Sequence, residues 1–169
     1  MKVVVCGGIG AGKSTVVREA MRRLGWSAPG GFFTHWGGGA RGSEELYFST
    51  WGGGPHLMAR RRAGKAGPED VPYELEAEGF RRIAIPSLGA RQGPVVIDEL
   101  GMIELGLPEF QEAVADLFRR PEPVLVVIQE RALERWRPML GPDAAVRFFR
   151  VEASTREGLP ERIATLFCS

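Results

Sequence analysis

The residues with the clearest chemical pattern lie near the start of the chain. Gly7-Gly8-Ile9-Gly10-Ala11-Gly12-Lys13-Ser14 follows a short apolar run and matches the P-loop (Walker A) pattern G-x-x-x-x-G-K-[ST]. Glycines in such a loop let backbone N–H groups approach phosphate oxygens closely, and a helix that begins near Lys13 adds the positive end of its dipole. The segment therefore predicts a binding site for the phosphates of a nucleotide.

Three side chains of this loop have separate expected roles. Lys13 would bridge the β- and γ-phosphates, and the Ser14 hydroxyl would be a ligand of Mg²⁺. Thr15 follows directly and is expected near the α-phosphate. The alternative is a glycine-rich turn with an exposed lysine, but a predicted strand before the loop and a predicted helix after it supply the context that a P-loop requires.

A second chemically distinctive segment is an apolar run that ends in two carboxylates, Asp98 and Glu99. Because ligands gather at the carboxyl ends of parallel strands, this pair is expected beside the P-loop. Asp98 would act as a Walker-B aspartate that holds Mg²⁺ through a water. Glu99 would orient or deprotonate a water that attacks the γ-phosphate, unless it is a solvated residue just past the strand. Glu104 would assist this pair or be a surface carboxylate, and both readings stay open.

The elements that must position these residues alternate along the chain, which is typical of a parallel sheet covered on both faces. Buried strands are predicted at 2–6, 94–98, 124–128 and 146–151, and helices at 13–24, 76–83, 108–120, 130–136 and 158–167. The pattern predicts one α/β domain over residues 1–169, with three α/β/α layers and a mostly parallel central sheet.

Residues 26–68 interrupt this alternation. Glycine clusters at 30–31, 37–39 and 52–54 separate short aromatic pieces, a pattern that predicts antiparallel strands joined by glycine turns. We interpret the segment as a β-hairpin or meander, centred on 30–60, that is inserted into the domain. The alternative for its tips, above all 60–69, is flexible disorder.

Composition excludes several classes of protein. The chain has 169 residues, 44% of them apolar and 25% charged, with a net charge of +1. This balance gives no electrostatic case for nucleic-acid binding, and no apolar run approaches the ~20 residues that cross a bilayer. Two cysteines and two histidines are too few for a metal cluster or a disulfide framework. We expect a cytoplasmic protein, with a monomer favoured and no membrane or nucleic-acid partner.

Together these segments resemble the thermophilic-type nucleoside-triphosphatase family. The matching residues span most of the chain and lie at 7–14, 30–34, 72–75, 79–80, 96–101, 104–105 and 151–159, of which Asp-Glu-Leu-Gly-x-x-Glu-Leu at 98–105 is the most specific. The resemblance implies a RecA-like P-loop fold with an extra β-hairpin. It also implies Mg²⁺-dependent hydrolysis of ATP, GTP and other nucleoside triphosphates, with Glu99 as the residue that activates water.

Two positions depart from the family's pattern. The family usually has a Glu and an Arg soon after the segment that matches 30–34, whereas this chain continues with His35 and Trp36, and Arg41 is a candidate for the shifted arginine. The family's Asn-Arg pair near the last strand appears here as Thr155 and Arg156. The resemblance implies that Arg156 stacks on the nucleotide base, but the Asn contact is absent, so strict base selection is not expected.

Three functions are weighed from the sequence. A nucleoside-triphosphatase and a kinase for a nucleoside, nucleotide or small metabolite would use the same P-loop, and a water-activating Glu99 favours the first. A guanine-specific switch needs an Asn-Lys-x-Asp element, and the chain contains no Asn. No arginine finger is evident, so turnover is expected to be slow. The candidates for one are Arg41, Arg60, Arg61, Arg62 and Arg91.

Overall fold

A computed structural model describes residues 1–39, 41–63, 71–89 and 93–168. Their strands are β1 (Lys2–Gly7), β2 (Gly30–Trp36), β3 (Glu45–Thr50), β4 (Pro55–Arg61), β5 (Tyr73–Leu75), β6 (Val95–Leu100), β7 (Val124–Gln129) and β8 (Val146–Arg150). Their α-helices are α1 (Lys13–Leu24), α2 (Ala77–Gly79), α3 (Ile85–Ser87), α4 (Pro108–Arg119), α5 (Leu133–Trp136) and α6 (Leu159–Cys168). A π-helical turn, Phe80–Ala84, joins α2 to α3.

The eight described strands form one sheet in the order β5-β4-β3-β2-β6-β7-β1-β8. From β2 to β8 the neighbours are parallel, and the run of valines in β1 is fully buried because helices cover both faces. Helices α1 and α6 pack on one face, and α4, α5 and the 77–87 segment pack on the other. The prediction of a three-layer α/β fold with a mostly parallel sheet is confirmed.

The segment 26–68 differs from its predicted form in one important respect. Antiparallel pairing is present, since β2 pairs with β3 and β3 with β4, but β2 also lies parallel to β6 and is part of the central sheet. Glycine makes this close approach possible: Gly31 has a φ of +87°, and a Cβ there would lie 2.2 Å from the Val96 carbonyl oxygen. The strands are therefore an extension of the main sheet. Residues 40 and 64–68 lie outside the described part, as does most of the 60–69 tip for which disorder was the alternative.

Two elements between residues 73 and 87 differ from the prediction. The helix predicted at 76–83 runs on to residue 87 through the π-helical turn. The short strand β5 precedes it at the edge of the sheet, where it pairs with β4, and it was not predicted. No described helix has the length and apolar character required to span a membrane.

The strand order fixes where the chemically distinctive residues lie. Strands β6, β7 and β1 are adjacent and parallel, so their carboxyl ends share one edge of the sheet. In the register of the sheet Gly7 lies opposite Gln129, and Asp98 lies opposite Val127. The P-loop and the acidic pair are thereby brought to the same edge, as expected for a parallel sheet.

Candidate active site

The P-loop begins at Gly7, the last residue of β1, where close packing leaves no room for a side chain. Gly7 has a φ of +148°, and a Cβ there would lie 2.8 Å from the carbonyl oxygen of Val151. The loop ends at Gly12, which has a φ of +93° and begins α1. Lys13 folds back over the loop, and its Nζ donates to the carbonyl oxygens of Gly7 at 3.0 Å and Gly8 at 2.9 Å. The ammonium group is thus held where phosphates would bind.

A cleft of about 550 Å³ opens beside this loop. The predicted residues that line it are Gly10, Gly12, Lys13, Ser14, Thr15, Asp98, Glu99 and Glu104. Gly7, Gly8 and Ile9 line an adjoining pocket together with Lys13 and Glu99, and Ile9 forms an exposed tip. Ala11 lies among the neighbours of the α1 core instead. The structure therefore brings eight of these twelve predicted residues to the cleft and three more to the adjoining pocket.

Ser14 and Asp98 form the first connection between the P-loop and the acidic strand. The Ser14 hydroxyl donates to Asp98 Oδ1 at 3.0 Å, and Asp98 is 3% exposed. Burial raises the pKa of Asp98 to about 6; the Ser14 hydrogen bond opposes this rise and the charge of Glu99 adds to it. A hydroxyl and a carboxylate that is costly to ionise offer two hard oxygen donors, which are the ligands that Mg²⁺ prefers.

Glu99 lies at an irregularity in β6 that turns its side chain towards the loop. The pairing with β7 shifts between Asp98 and Leu100, so Glu99 is an extra residue in its strand. Its Oε2 lies 3.9 Å from Lys13 Nζ, and its side chain is 25% exposed. Its Oε1 accepts a hydrogen bond of 2.7 Å from Gln129 Nε2. Glu99 therefore connects β6 to the P-loop, and it is not a solvated residue just past the strand.

Glu104 is buried, which excludes a surface carboxylate. It is 2% exposed, and one carboxyl oxygen accepts the Gly101 N–H at 2.9 Å. The indole N–H of Trp136 donates to the carbonyl oxygen of the same glycine at 2.9 Å. Burial raises the pKa of Glu104 to about 7, against the effect of its backbone hydrogen bonds. Glu104 thus fixes the turn that directly follows Glu99.

This burial predicts a pH-dependent stability that a substitution should remove. Because the Glu104 pKa rises from 4.5 to about 7 on folding, the native state binds this proton more tightly than the unfolded state. The protonated Glu104 carboxyl therefore adds up to about 3 kcal/mol to the free energy of unfolding. This stabilisation is complete below pH 4.5 and is lost as pH rises through 7. We expect the fall in Tm between pH 5 and pH 8 to be smaller in Glu104→Gln than in wild type.

Thermal unfolding monitored by circular dichroism at the two pH values measures this difference. The control is Glu161→Gln, since Glu161 is an exposed residue of α6. An equal fall in Tm in wild type and Glu104→Gln would contradict the prediction.

The candidate arginines separate into three groups. Arg41 and Arg61 line the cleft, and so does Arg131, which the sequence did not suggest. Arg60 instead pairs with Glu45 and Glu76, while Arg62 is exposed and does not line the cleft. Arg91 lies outside the described residues.

Arg156 lies on the other side of the P-loop. It lines a cavity of about 400 Å³ together with Gly12, Thr15, Glu157 and Pro160. Its Cδ would be 4.0 Å from a Cβ placed on Gly12, so this exposed side chain passes next to the start of α1. This location fits a group that flanks a nucleotide beyond its α-phosphate.

Gln129, like Arg131, is a site residue that sequence reasoning missed. It ends β7, whose other five residues are apolar, and a lone polar residue at the carboxyl end of a buried strand was the available signal. Elsewhere, His35 contacts Ser49 with 3.1 Å between Nε2 and Oγ. Within the described ranges, no group of three or more His, Cys, Asp or Glu side chains is arranged to hold a metal ion.

A P-loop after β1 and an acidic pair in β6, on an α/β sheet, place this chain in the broad class of P-loop nucleotide-binding proteins. Residues 2–164 match the model of a family described as NTPase. The chain belongs to this NTPase family. The family resemblance and the expectation of an NTPase are both confirmed.

Similar proteins agree with this assignment. The nucleoside-triphosphatase THEP1 of Methanopyrus kandleri is 30% identical over 95% of this chain and 92% of its own length, and that of Thermococcus kodakarensis is 26% identical over 82% of both. Among solved structures, THEP1 from Aquifex aeolicus has a TM-score of 0.75 at 23% identity over 98% of both chains. A human cancer-related nucleoside triphosphatase has a TM-score of 0.76 at 24% identity over 98% of this chain and 96% of its own. These two structures share the fold.

Proposed function

We propose that this protein hydrolyses nucleoside 5′-triphosphates to diphosphate and phosphate with Mg²⁺, and that Glu99 activates the attacking water. The observation that carries the proposal is the convergence of four predicted side chains at one cleft. Ser14 contacts Asp98 at 3.0 Å, and Lys13 lies 3.9 Å from Glu99. The side chains that we propose as the phosphate-binding cation, the two groups that hold the metal and the general base thus surround one space.

Phosphate binding would depend on the loop and its lysine. Backbone N–H groups of the P-loop and the start of α1 supply positive potential, and Lys13 supplies a full charge. Two carbonyl oxygens already hold the Lys13 ammonium at the loop, so little conformational freedom is lost when a triphosphate arrives. Binding and charge neutralisation are the main contributions of such a site to phosphoryl transfer.

The residues present fit a magnesium ion. The Ser14 hydroxyl would bind it directly and Asp98 would hold it through a water, and a nearby divalent charge would offset the cost of ionising the buried Asp98 carboxyl. When bound, Mg²⁺ neutralises charge on the β- and γ-phosphate oxygens. The chain's contribution is to orient these two oxygen donors, whose separation is 3.0 Å.

Glu99 would act on the attacking water. Its carboxylate takes a proton from the water while the water oxygen forms a bond to the γ-phosphorus. The bond from the γ-phosphorus to the bridging oxygen breaks, and the nucleoside diphosphate leaves with that electron pair. Because the P-loop and β6 already hold Lys13 and Glu99 together, the rate gain comes mostly from positioning and electrostatics.

A broad choice of base agrees with the cavity beside α1. Arg156 and Pro160 offer flat surfaces to a nucleobase there, and stacking on such surfaces tolerates every base. We therefore propose ATP, GTP and other nucleoside triphosphates as substrates.

A kinase is the second candidate, because the cleft continues beyond the catalytic groups. The cleft is also lined by Trp36, Leu46 and Tyr73, which lie on the antiparallel part of the sheet. An acceptor molecule would occupy this space on the γ-phosphate side of the P-loop. Hydrolysis remains the first candidate because Glu99, in the role that we propose, would act on water without any acceptor.

Phosphate release from ATP, GTP, CTP and UTP tests both candidates. We expect release from several of the four with Mg²⁺, and none with EDTA. Absence of release from all of them would contradict hydrolysis. If formation of nucleoside diphosphate then depends on an added nucleoside, nucleotide or small metabolite, the kinase is the correct function.

We also propose that residues 1–169 act as a single-domain cytoplasmic monomer without membrane or nucleic-acid partners. All eight described strands belong to one sheet, and the net charge of +1 gives no attraction to polyanions. Sedimentation of the purified protein, alone and with RNA, would measure both the oligomeric state and nucleic-acid binding.

A further inference from the structure

Gln129 occupies a central place at the carboxyl edge of the sheet. It ends β7, which lies between β6 and β1, and it is opposite Gly7 in the register with β1. The five residues before it in β7 are apolar and fully buried. The one polar side chain of this strand therefore emerges between the P-loop and the acidic pair.

The neighbours of Gln129 determine which end of its amide faces Glu99. Arg131 Nε donates to Gln129 Oε1 at 3.4 Å, so the oxygen end faces a cation. The nitrogen end then faces Glu99, and Gln129 Nε2 donates to Glu99 Oε1 at 2.7 Å. Because Arg131 carries donors only, the reverse orientation of the amide would place two donors together.

Gly101 leaves the space that this amide fills. A Cβ on Gly101 would lie 2.8 Å from both Cδ and Nε2 of Gln129, which is inside the contact distance of the atoms. The Gly101 backbone is itself held by Glu104 and Trp136 on its N–H and C=O groups. The amide is therefore packed against a fixed piece of backbone.

This packing gives the two oxygens of Glu99 different surroundings. Oε1 accepts a hydrogen bond from Gln129, whereas Oε2 is 3.9 Å from Lys13 Nζ. Without the Gln129 contact, the Glu99 side chain would be free to rotate about its own bonds. A general base acts efficiently when its reacting oxygen is held in place.

We propose that Gln129 is a positioning residue that holds Glu99 in the orientation required to accept a proton from the attacking water. The inference rests on the hydrolytic function proposed above. It assigns to Gln129 no contact with the nucleotide, so nucleotide affinity is not expected to depend on it. Gln129 acts through Glu99 alone.

Two substitutions at Gln129 test this role. Gln129→Leu removes the hydrogen bond, and Gln129→Glu keeps the shape of the side chain but replaces the donor by an oxygen that repels Glu99. We expect kcat to fall by about 10- to 100-fold in both, the scale on which a displaced reacting group slows a reaction. In Gln129→Leu we expect KM and the Kd of a non-hydrolysable ATP analogue to stay within about twofold of wild type. Gln129→Glu also adds a negative charge to the cleft, so only its kcat is compared.

A substitution at Gly101 should disturb the hydrogen bond between Gln129 and Glu99 while the residue at position 129 stays the same. The methyl group of Gly101→Ala would displace the Gln129 amide, so it should lower kcat and leave the analogue Kd unchanged. The matched control is Gln111→Leu, because Gln111 Nε2 also makes a 2.7 Å hydrogen bond, to the Leu105 carbonyl oxygen, outside the cleft. We expect a lower Tm for this control with wild-type kcat.

The results separate the inference from the proposed function. If wild type releases phosphate and Gln129→Leu and Gln129→Glu keep wild-type kcat, the positioning role is wrong and hydrolysis stands. In Gln129→Leu, a fall in kcat that is matched by loss of analogue binding would also overturn it, because it would indicate collapse of the whole site. If Gln129→Leu does not fold, the isosteric Gln129→Glu and Gly101→Ala decide. Absence of phosphate release by wild type would instead reject the proposed function.

Discussion

Glu99→Gln is expected to bind nucleoside triphosphates like wild type and to hydrolyse them at least 10²-fold more slowly. The amide keeps the size of the side chain and still presents an oxygen to the Gln129 N–H group, whose bond to Glu99 Oε1 is 2.7 Å long. It cannot take a proton from water, and a positioned general base is worth about 10²–10⁴ in rate. Binding is preserved because the P-loop and Lys13 are unchanged.

Single-turnover release of labelled phosphate measures the rate of this variant, and titration with a fluorescent nucleotide analogue measures its affinity. Glu134→Gln is the control for loss of a negative charge, since Glu134 is an exposed residue of α5 that pairs with Arg137. Normal hydrolysis by Glu99→Gln would show that another group activates the water.

Lys13→Ala is expected to weaken nucleotide binding by about 10²-fold and to remove activity with it. The ammonium is the full positive charge at the loop, and hydrogen bonds to charged groups contribute about 1.5–3 kcal/mol each. Its loss also leaves Glu99 Oε2 without the cation that lies 3.9 Å away. The carboxylate would then face the incoming phosphates with less compensation.

Lys2 provides a matched control for this substitution. Its Nζ, like that of Lys13, donates to two backbone carbonyl oxygens, those of Leu117 at 3.1 Å and Glu122 at 2.6 Å. Lys2 begins β1, whereas the P-loop follows its other end. Calorimetric titration with MgATP should therefore show wild-type affinity for Lys2→Ala, together with a lower Tm. Equal affinities for Lys13→Ala and wild type would contradict the role of Lys13.

The parts of the site that could be predicted are those encoded by local patterns. The P-loop has a fixed spacing, and Asp98 and Glu99 directly follow an apolar run, so the rule for parallel strands was enough to bring them together. The place of β2 could not be predicted in this way. Its position beside β6 depends on pairing across more than 60 residues, and on a close backbone contact that Gly31 permits.

Gln129 and Glu104 were harder for a related reason. The role that we propose for Gln129 depends on which strands flank β7, and the sequence of β7 does not indicate its neighbours in the sheet. The burial of Glu104 depends on a single backbone N–H, that of Gly101, which turns towards it after β6. A sequence pattern shows which residue types stand at the end of a strand. The roles of Gln129 and Glu104 depend instead on which residues of other segments they contact.

The location of the site on three adjacent inner strands also bears on how the native state opens. Strands β6, β7 and β1 have neighbours on both sides, while β5 and β8 lie at the edges of the sheet. Local unfolding proceeds most easily from segments with few buried contacts. Backbone amides of the edge strands should therefore exchange with solvent first, and those beneath the site only in openings close to global unfolding. The P-loop and the acidic pair should therefore keep their relative positions during fluctuations that open the edges of the sheet, whereas the cleft wall that includes Tyr73 of β5 should open with them.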